Sequence, residues 1–358
     1  MNSRVFVIIT LLAVFGTACS RTPALKNEYR MHVPAGATTG WGLGAARFAQ
    51  LVTAKTDGRI HIQPYYDGQL CPGADERAAR KVAGGEIDLA LDSTVNLASW
   101  IPEMNIFALP FFVGSYERLD QLEGGQTSQL LFDALASHRL TPLAWGENGF
   151  RLLTNRKGPV AQPADLRGLT VRVTESPIFA DMFRALGAKP VNLSWSETLR
   201  AMEQGSVDAA ENPAEILVAM PIERHHAFLT RWNYAIDPLV LYWNARQFAS
   251  FPEDIQRAIR EAAVEACRYE KAYVRIGLDE GAALNVMMHE FDELPPIGAP
   301  MAFLASRGIK VLEPTEAQLR EFERVLLPVR TRWAKKVGSK VYQAALHDTE
   351  GGSDPSRP

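Results

Sequence analysis

The chain has 358 residues, a formal net charge of -3 and 47% hydrophobic side chains. This near-neutral globular composition excludes a strongly basic nucleic-acid binder and a protein that binds anionic membranes through its overall charge. The length fits one large domain or two lobes of ordinary size, and the expected partner is a small molecule or another protein.

The first nineteen residues have the pattern of an export signal. Arg4 precedes the uncharged run 5–15, which is too short to span a bilayer and is typical of the apolar segment of a signal peptide. Small residues then lead into Cys19, which resembles the lipobox of bacterial lipoproteins, although Gly16 stands where leucine is usual. We expect export and lipidation of Cys19, with ordinary secretory cleavage near Ala18 as the alternative.

After a predicted tether at residues 20–28, two long stretches alternate strands with helices. The first has the order strand 29–34, helix 40–56, strand 59–66, helix 74–82 and strand 87–92. The second has the order strand 169–174, helix 176–186, strand 189–193, a helix opened by the capping box of Ser194 and Glu197, and strand 207–210. This order is typical of an α/β protein.

The two stretches also share a short sequence. GEIDLA begins at Gly85 and GSVDAA begins at Gly205, each after a predicted helix and before a strand. Seven residues beyond these glycines stand Asp92 and Asn212. We therefore predict two similar α/β lobes that direct their strand ends at each other, with ligand bound in the crevice beyond those ends.

The remaining elements predict where the chain crosses between lobes. Strands are expected at 140–145 and 150–155, and extended segments at 232–248 are expected to break at Pro238. Helices are expected over 214–225, most of 252–293, and 315–347. The predicted division is lobe I at 29–148 plus about 234–275, lobe II at 149–233 plus about 276–312, C-terminal helices at 313–347 and a disordered tail at 348–358.

The cysteine pattern gives no sign of a metal centre. Beyond Cys19 only Cys71 and Cys267 remain, and no CxxC or Cys/His cluster is present. An exported protein could bridge the two. We favour separate thiols, because Cys71 lies in a predicted turn and Cys267 in the middle of a helix. The glycines from Gly40 to Gly44 form GxGxG instead of the dinucleotide pattern GxGxxG, so neither a metal nor a cofactor is expected.

Two arginines are candidate anion ligands. Arg172 lies between two valines near a strand's carboxyl end, where a guanidinium can hold a carboxylate through two parallel hydrogen bonds. A solvated edge-strand arginine is the alternative. Arg151 follows Gly149 and Phe150 at the first predicted crossing, and its alternative is a structural ion pair.

An aromatic and an amide side chain are the other candidates. Trp195 begins a helix between two serines, which suits a platform for a ligand's carbon skeleton, with a core aromatic as the alternative. Asn212 precedes Pro213, which holds it out of the α region. An amide there can both donate to a ligand and accept from it, or can simply shape a turn.

Several segments resemble the solute receptors of TRAP transporters, the DctP family. They are GLTVRV, ALGAKPVNLSWSETLRAMEQGSVDAAENP, FALPFF, GFRLLTN, FPEDIQRAI, and GQL with the acidic helix that follows it. The resemblance extends from about residue 29 to residue 347. It implies a two-lobe, type II-like periplasmic-binding-protein fold with hinge strands and a long C-terminal helix. It further implies a receptor that closes on a small organic acid and delivers it to a membrane permease.

The resemblance also implies roles for individual residues of the second lobe. Arg172 matches the arginine that pairs with the substrate carboxylate, and Arg151 matches a second arginine of the site. Trp195 matches the aromatic of the xWSE segment, and Asn212 matches the asparagine of ENP.

The first lobe departs from the family pattern. Asp92 and Ser93 stand where some relatives carry a glutamate, so sialic-acid specificity is not transferred, and one of the two is expected to contact the ligand's distal group. Asn148 is a further candidate contact.

Two other functions fit the same fold. A hydrolase or lyase is the enzyme alternative, but the sequence has neither GxSxG nor a nucleophile–base arrangement. A receptor that signals to a chemosensor is the other. Dicarboxylates, 2-oxoacids, sugar acids and aromatic acids all remain open as ligands. No nucleic acid is expected as a partner. Contact with a membrane is expected only through the lipid anchor.

Overall fold

The computed structural model describes Leu25, Lys26 and residues 28–349. The signal peptide, Cys19 and residues 350–358 lie outside the described residues. The strands are β1 Tyr29–His32, β2 Ile62–Tyr65, β3 Leu89–Ser93, β4 Leu140–Asn155, β5 Thr170–Val173, β6 Lys189–Asn192, β7 Ala209–Pro213, β8 Phe228–Thr230, β9 Ile236–Asn244 and β10 Lys310–Leu312. The helices are α1 Gly40–Lys55, α2 Ala78–Gly84, α3 Thr94–Leu97, α4 Tyr116–Gly124, α5 Gln126–Ser137, α6 Pro177–Ala185, α7 Trp195–Glu203, α8 Ala214–Val218, α9 Ala245–Ala249, α10 Glu253–Arg275, α11 Ala282–Glu290, α12 Pro300–Ser306, α13 Glu316–Val337 and α14 Ser339–Thr349.

The predicted α/β fold with two lobes is confirmed. The sheet order is β2-β1-β3-β9-β4-β7-β5-β6, with β8 paired to β4 and β10 paired to β8. Lobe I contains β1, β2 and β3, which are parallel, and antiparallel β9 beside the first part of β4. Lobe II contains parallel β5, β6 and β7 beside the last part of β4, with β8 and β10 on its other side.

The repeated sequence occupies equivalent positions in the two lobes. Gly85 and Gly205 both have positive φ after a helix, a conformation that glycine adopts at low cost. The acid three residues later accepts a hydrogen bond from the neighbouring strand in both lobes. Asp88 Oδ2 accepts from Arg30 N at 2.8 Å, and Asp208 Oδ2 accepts from Thr170 N at 3.0 Å. The short sequence similarity therefore corresponds to the same local structure in both lobes.

The crossing between lobes differs from the prediction. Instead of two strands separated at 146–149, β4 is one continuous strand that pairs first with β9 and then with β7 and β8. Pro238 does not interrupt β9 either, because it pairs with Glu147 beside a register shift between Glu147 and Gly149. An irregular pair tolerates a residue without an N–H, which a regular ladder would not.

One predicted helix and the start of the predicted C-terminal tail were also wrong. The expected helix over 214–225 is only α8 and a 3₁₀ turn at Ile222–Arg224, separated at Pro221. The expected tail begins too early, because Asp348 and Thr349 belong to α14. The Asp348 carboxylate accepts from the backbone N–H groups of Gln126 and Thr127 and so caps α5.

Helix α10 packs closely on α1 in lobe I, and glycine makes this possible. A Cβ at Gly44 would lie 2.7 Å from the Glu270 side chain, so only glycine lets the two helices approach. Glu270 is fully buried and its Oε2 accepts from Glu147 N at 2.8 Å, which ties α10 to the crossing strand. Cys267 on the same helix and Cys71 in its turn are both buried free thiols.

Candidate ligand-binding site

A cavity of about 600 Å³, part of it open to solvent, lies between the lobes at the strand ends. Lobe I and the crossing strands contribute Pro34, Ala35, Trp41, Asp75, Ser93, Val95, Asn96, Asn148, Arg151 and Asp237. Lobe II contributes Arg172, Thr174, Glu175, Leu193, Ser194, Asn212 and Ile216. The cavity therefore lies where the repeated strand order predicts a ligand.

Arg172 lines this cavity without a charged partner. It is 3% exposed, and its Nε and Nη2 donate to the Leu193 carbonyl at 3.1 and 2.7 Å. That carbonyl fixes one edge of the guanidinium, while no carboxylate lies within ion-pair distance in the described chain. Burial lowers the pKa of Arg172 to about 10. A buried cation without a counterion is a site that an anionic ligand would stabilise.

Arg151 lines the same cavity but is fully engaged with acids of the protein. Its Nη1 donates to Asp237 Oδ2 at 2.9 Å, and its Nη2 donates to Glu211 Oε1 at 3.0 Å, while Nε makes a short bond to the other Glu211 oxygen. The pKa of Arg151 is raised, because attraction to Glu211 and Asp237 outweighs burial, which acts to lower it. Tyr234 Oη also donates to Glu211. The structural ion pair considered for Arg151 is thus present.

Asp237 joins the crossing strands to lobe I. Its carboxylate accepts from the Ser93 hydroxyl, from Asn148 Nδ2 at 2.8 Å and from Arg151. Asn148 in turn accepts from Trp41 Nε1 at 3.1 Å. Burial raises the pKa of Asp237 despite the nearby guanidinium. Ser93 and Asn148 therefore line the cavity as members of a fixed network.

The other predicted residues are placed differently from one another. Asn212 lies in β7, lines the cavity, and its side-chain amide makes no hydrogen bond within the described part of the chain. Asp92 has the equivalent position in β3 but lies behind the cavity wall, where it accepts from Asn96 Nδ2 and Tyr242 Oη. Trp195 begins α7, and its side chain lies outside what the structure describes.

Two acids that the sequence did not single out also line the cavity. Burial raises the pKa of Asp75 to about 7, and burial together with the Glu76 carboxylate raises that of Glu175 to about 7. Asp75 comes from lobe I and Glu175 follows β5 in lobe II. The GQL segment with its acidic helix start could have pointed to Asp75. For Asp237, the only indication in the sequence was a single acid within an otherwise apolar strand.

One further carboxylate connects the lobes beside the cavity. Glu215 in α8 of lobe II accepts from the backbone N–H of Gly40, the first residue of α1 in lobe I, at 2.7 Å. Burial raises the pKa of Glu215 to about 7. This contact joins the two lobes in the structure. The GxGxG segment thus presents its helix N-terminus to the protein's own acid.

No group of three or more His, Cys, Asp or Glu side chains is arranged to hold a metal among the described residues. None of the helices in that part of the chain is long and apolar enough to cross a membrane. Two α/β lobes around a cavity lined by a buried guanidinium that has no acid partner in the described chain define the class of a solute-binding protein for anions.

Comparison with known proteins identifies the family. The family model described as bacterial extracellular solute-binding protein, family 7 (DctP) matches residues 31–277, and the chain belongs to this family. It is thus an extracytoplasmic solute receptor of the TRAP type, as the sequence resemblance implied. The members of this family are binding proteins.

Three solved structures of TRAP periplasmic solute-binding proteins resemble the chain. One from Ralstonia eutropha with bound (S)-2-acetolactate is 33% identical, covers 91% of this chain and 100% of its own, and has a TM-score of 0.85. One from Polaromonas with D-erythronate is 25% identical, covers 89% and 98%, and has a TM-score of 0.78. One from Sulfurospirillum deleyianum with succinate is 25% identical, covers 89% and 97%, and has a TM-score of 0.76.

Proposed function

We propose that this receptor binds a small organic acid whose carboxylate pairs with Arg172. The observation that carries the proposal is the buried guanidinium, which faces the cavity with one edge held by a carbonyl and has no acid partner among the residues that the structure describes. Each charge-assisted hydrogen bond to a ligand carboxylate contributes roughly 1.5–3 kcal/mol. The acids bound by the three similar structures support a carboxylate ligand.

The other wall residues support orientation of the ligand. Asn212 offers a free amide beside Arg172, while Arg151, Asn148 and Ser93 are held in position by Asp237. Trp195 keeps its expected role as a platform for the carbon skeleton. A ligand that contacts both lobes favours the closed form, since those contacts form together only after closure.

Arg172→Lys tests the carboxylate site. Lysine keeps the charge but lacks the planar pair of donors, so we expect a thermal-shift screen of organic acids to show a loss of stabilisation. Arg184→Lys is the matched control, because Arg184 is an exposed arginine that pairs with Asp181 on the surface. Undiminished stabilisation of the Arg172→Lys protein by the same acid would show that the carboxylate pairs elsewhere.

The membrane subunits of a TRAP permease are the proposed destination of the ligand. The family assignment supports this partner, and the closed form supplies a distinct surface for it to recognise. Uptake of a radiolabelled acid into vesicles that contain the permease should require the receptor. Equal uptake without the receptor would contradict the proposal.

A lipid anchor at Cys19 is the proposed means of retention at the membrane. Mass spectrometry of the mature protein should show an acylated Cys19 at the N-terminus, and Cys19→Ser should release the receptor in unmodified form. A mature wild-type chain that begins after Ala18 without acylation would instead show ordinary secretory cleavage.

A further inference from the structure

We infer that the ligand is a short hydroxylated monocarboxylate, and that Asp75 binds its uncharged distal end and excludes a second carboxylate. The inference rests on the proposed function and adds the chemical class of the acid to it. It follows from the charges on the cavity wall and from the surroundings of Asp75.

The wall offers one carboxylate site and not two. Its cations are Arg151 and Arg172, and Arg151 is already paired with Glu211 and Asp237. One ligand carboxylate therefore uses the only guanidinium of the wall that has no acid partner within the described chain. A second carboxylate would find no free cation there.

The remaining charges on the wall oppose a second carboxylate. Asp75 and Glu175 both line the cavity, and neither has an arginine or lysine within ion-pair distance in the described chain. A dicarboxylate bound to Arg172 would bring its far charge into the cavity beside these acids. Burying a charge without a partner is strongly unfavourable, whereas a hydroxyl in the same place can bond to a carboxylate.

Asp75 is placed to receive such a hydroxyl. Its Oδ1 is buried against Gly68, where an added Cβ would lie only 2.9 Å away, and is 3.7 Å from His32 Nε2. Its Oδ2 makes no hydrogen bond in the described part of the chain and is not among the fully buried unpaired atoms. Asp75 and Arg172 line the same cavity from opposite lobes, and a ligand that contacts both must fit within its volume of about 600 Å³, so the acid is small.

The protonation of Asp75 gives the exclusion a pH dependence. The charged or titratable groups that face it are His32, Cys71, Glu76, Asp92, Arg172 and Glu175. Burial raises the pKa of Asp75 to about 7, so its charge is present above that pH and is lost below it. A neutral carboxyl can donate to a second carboxylate, and discrimination against dicarboxylates should therefore grow as the pH rises.

Three pairs of acids that differ only in a terminal CH₂OH or COO⁻ test the inference by calorimetry. They are glycerate and tartronate, 2,4-dihydroxybutanoate and malate, and threonate and tartrate. At pH 8 the CH₂OH member of at least one pair should bind at least about 100-fold more tightly than its partner, the loss expected for one unpaired buried charge. A dicarboxylate that binds as tightly as its partner would overturn the inference.

Asp75→Asn should raise the affinity for the dicarboxylate at least tenfold and weaken the pH dependence of the ratio within the pair, with the remaining pH dependence due to Glu175. Asp67→Asn is the control, because Asp67 is an exposed acid of the neighbouring loop that does not line the main cavity, and its ratio should stay at the wild-type value. An unchanged ratio in Asp75→Asn would remove Asp75 as the selective residue and overturn its assigned role.

Failure of the inference can be separated from failure of the proposed function. If none of the six acids binds, the inferred class is wrong, and pyruvate, 2-oxobutanoate and benzoate are then titrated into wild type and Arg172→Lys. Binding of one of these acids that is lost in Arg172→Lys would leave the carboxylate site standing. If the wild-type protein bound no carboxylate at all, both the class and the site would be rejected.

Discussion

Arg151 and Arg172 line the same cavity and are both buried, but their guanidinium groups have different partners. Arg151 is held by Glu211 and Asp237, so its charge is balanced by the protein. Arg172 is held by a backbone carbonyl, which orients the guanidinium, and no carboxylate of the described chain lies within ion-pair distance of it. Burial alone therefore does not identify a ligand-binding arginine. The distinguishing property is the absence of an acid partner within the described chain.

Arg151→Met should cause the largest loss of folding stability. It leaves Glu211 and Asp237 buried without their cation, and breaking a buried pair in this way costs about 3–5 kcal/mol. Urea unfolding of the ligand-free protein would measure it, with Arg184→Met as the surface control. A loss below about 1 kcal/mol would show that the two acids do not depend on Arg151, and would remove the contrast with Arg172.

Arg172→Met should have the reverse profile. Removal of an unpaired buried cation leaves no orphaned acid, so the ligand-free protein should keep its stability within about 1 kcal/mol. Affinity for the acid should fall by about 3 kcal/mol or more, since two charge-assisted bonds are lost. Calorimetry and urea unfolding on the same preparation would measure both. A stability loss as large as that of Arg151→Met would mean that the two arginines have the same role.

The pH dependence of ligand binding should come from the buried acids and not from the two arginines, because only the acids titrate near neutral pH. Burial raises the pKa values of Glu215 and Asp75 to about 7, so we expect closure to take up protons where it buries these two carboxyls. The stabilisation of the closed form is complete below the solvent value of about 4.5 for glutamate and is lost as the pH rises through 7. One such group gives about a tenfold gain in affinity between pH 8 and pH 6.

Glu215→Gln should reduce that gain, because the amide cannot take up a proton, while the bond to Gly40 can persist through the amide oxygen. Calorimetry in buffers of different ionisation enthalpy would count the protons. Glu223→Gln serves as the control, since Glu223 pairs with Arg307 at the surface of lobe II. An affinity that is flat from pH 6 to pH 8 would contradict proton uptake on closure.

Asn212→Ala should have the smallest effect of the four sites. It removes one neutral hydrogen bond to the ligand, which contributes about 0.5–1.5 kcal/mol, and leaves the ion pair of Arg172 intact. The ligand-free protein should unfold almost as the wild type does, because the amide has no partner in the described chain. A loss of binding as large as in Arg172→Met would show that the amide, and not the guanidinium, holds the carboxylate.

Local sequence was sufficient for several parts of the fold. The capping box of Ser194 and Glu197 forms as predicted, and its hydrogen bonds join residues only three apart. The strand–helix order and the paired glycines at 85 and 205 also follow from neighbours in the chain. The breaks expected at 146–149 and at Pro238 were wrong, because sheet pairing between β4 and β9 overrides local preferences there.

The two-lobe α/β architecture, the family resemblance and the position of Arg172 at a strand end follow from the amino-acid sequence alone. Which arginine is paired depends on the folded chain, because the partners of Arg151 are 60 and 86 residues away. Folding also places Asp92 behind the cavity wall and Asp75 on the wall itself. Backbone preferences act over a few residues, whereas counterions, burial and pKa are set by whatever the folded chain places alongside.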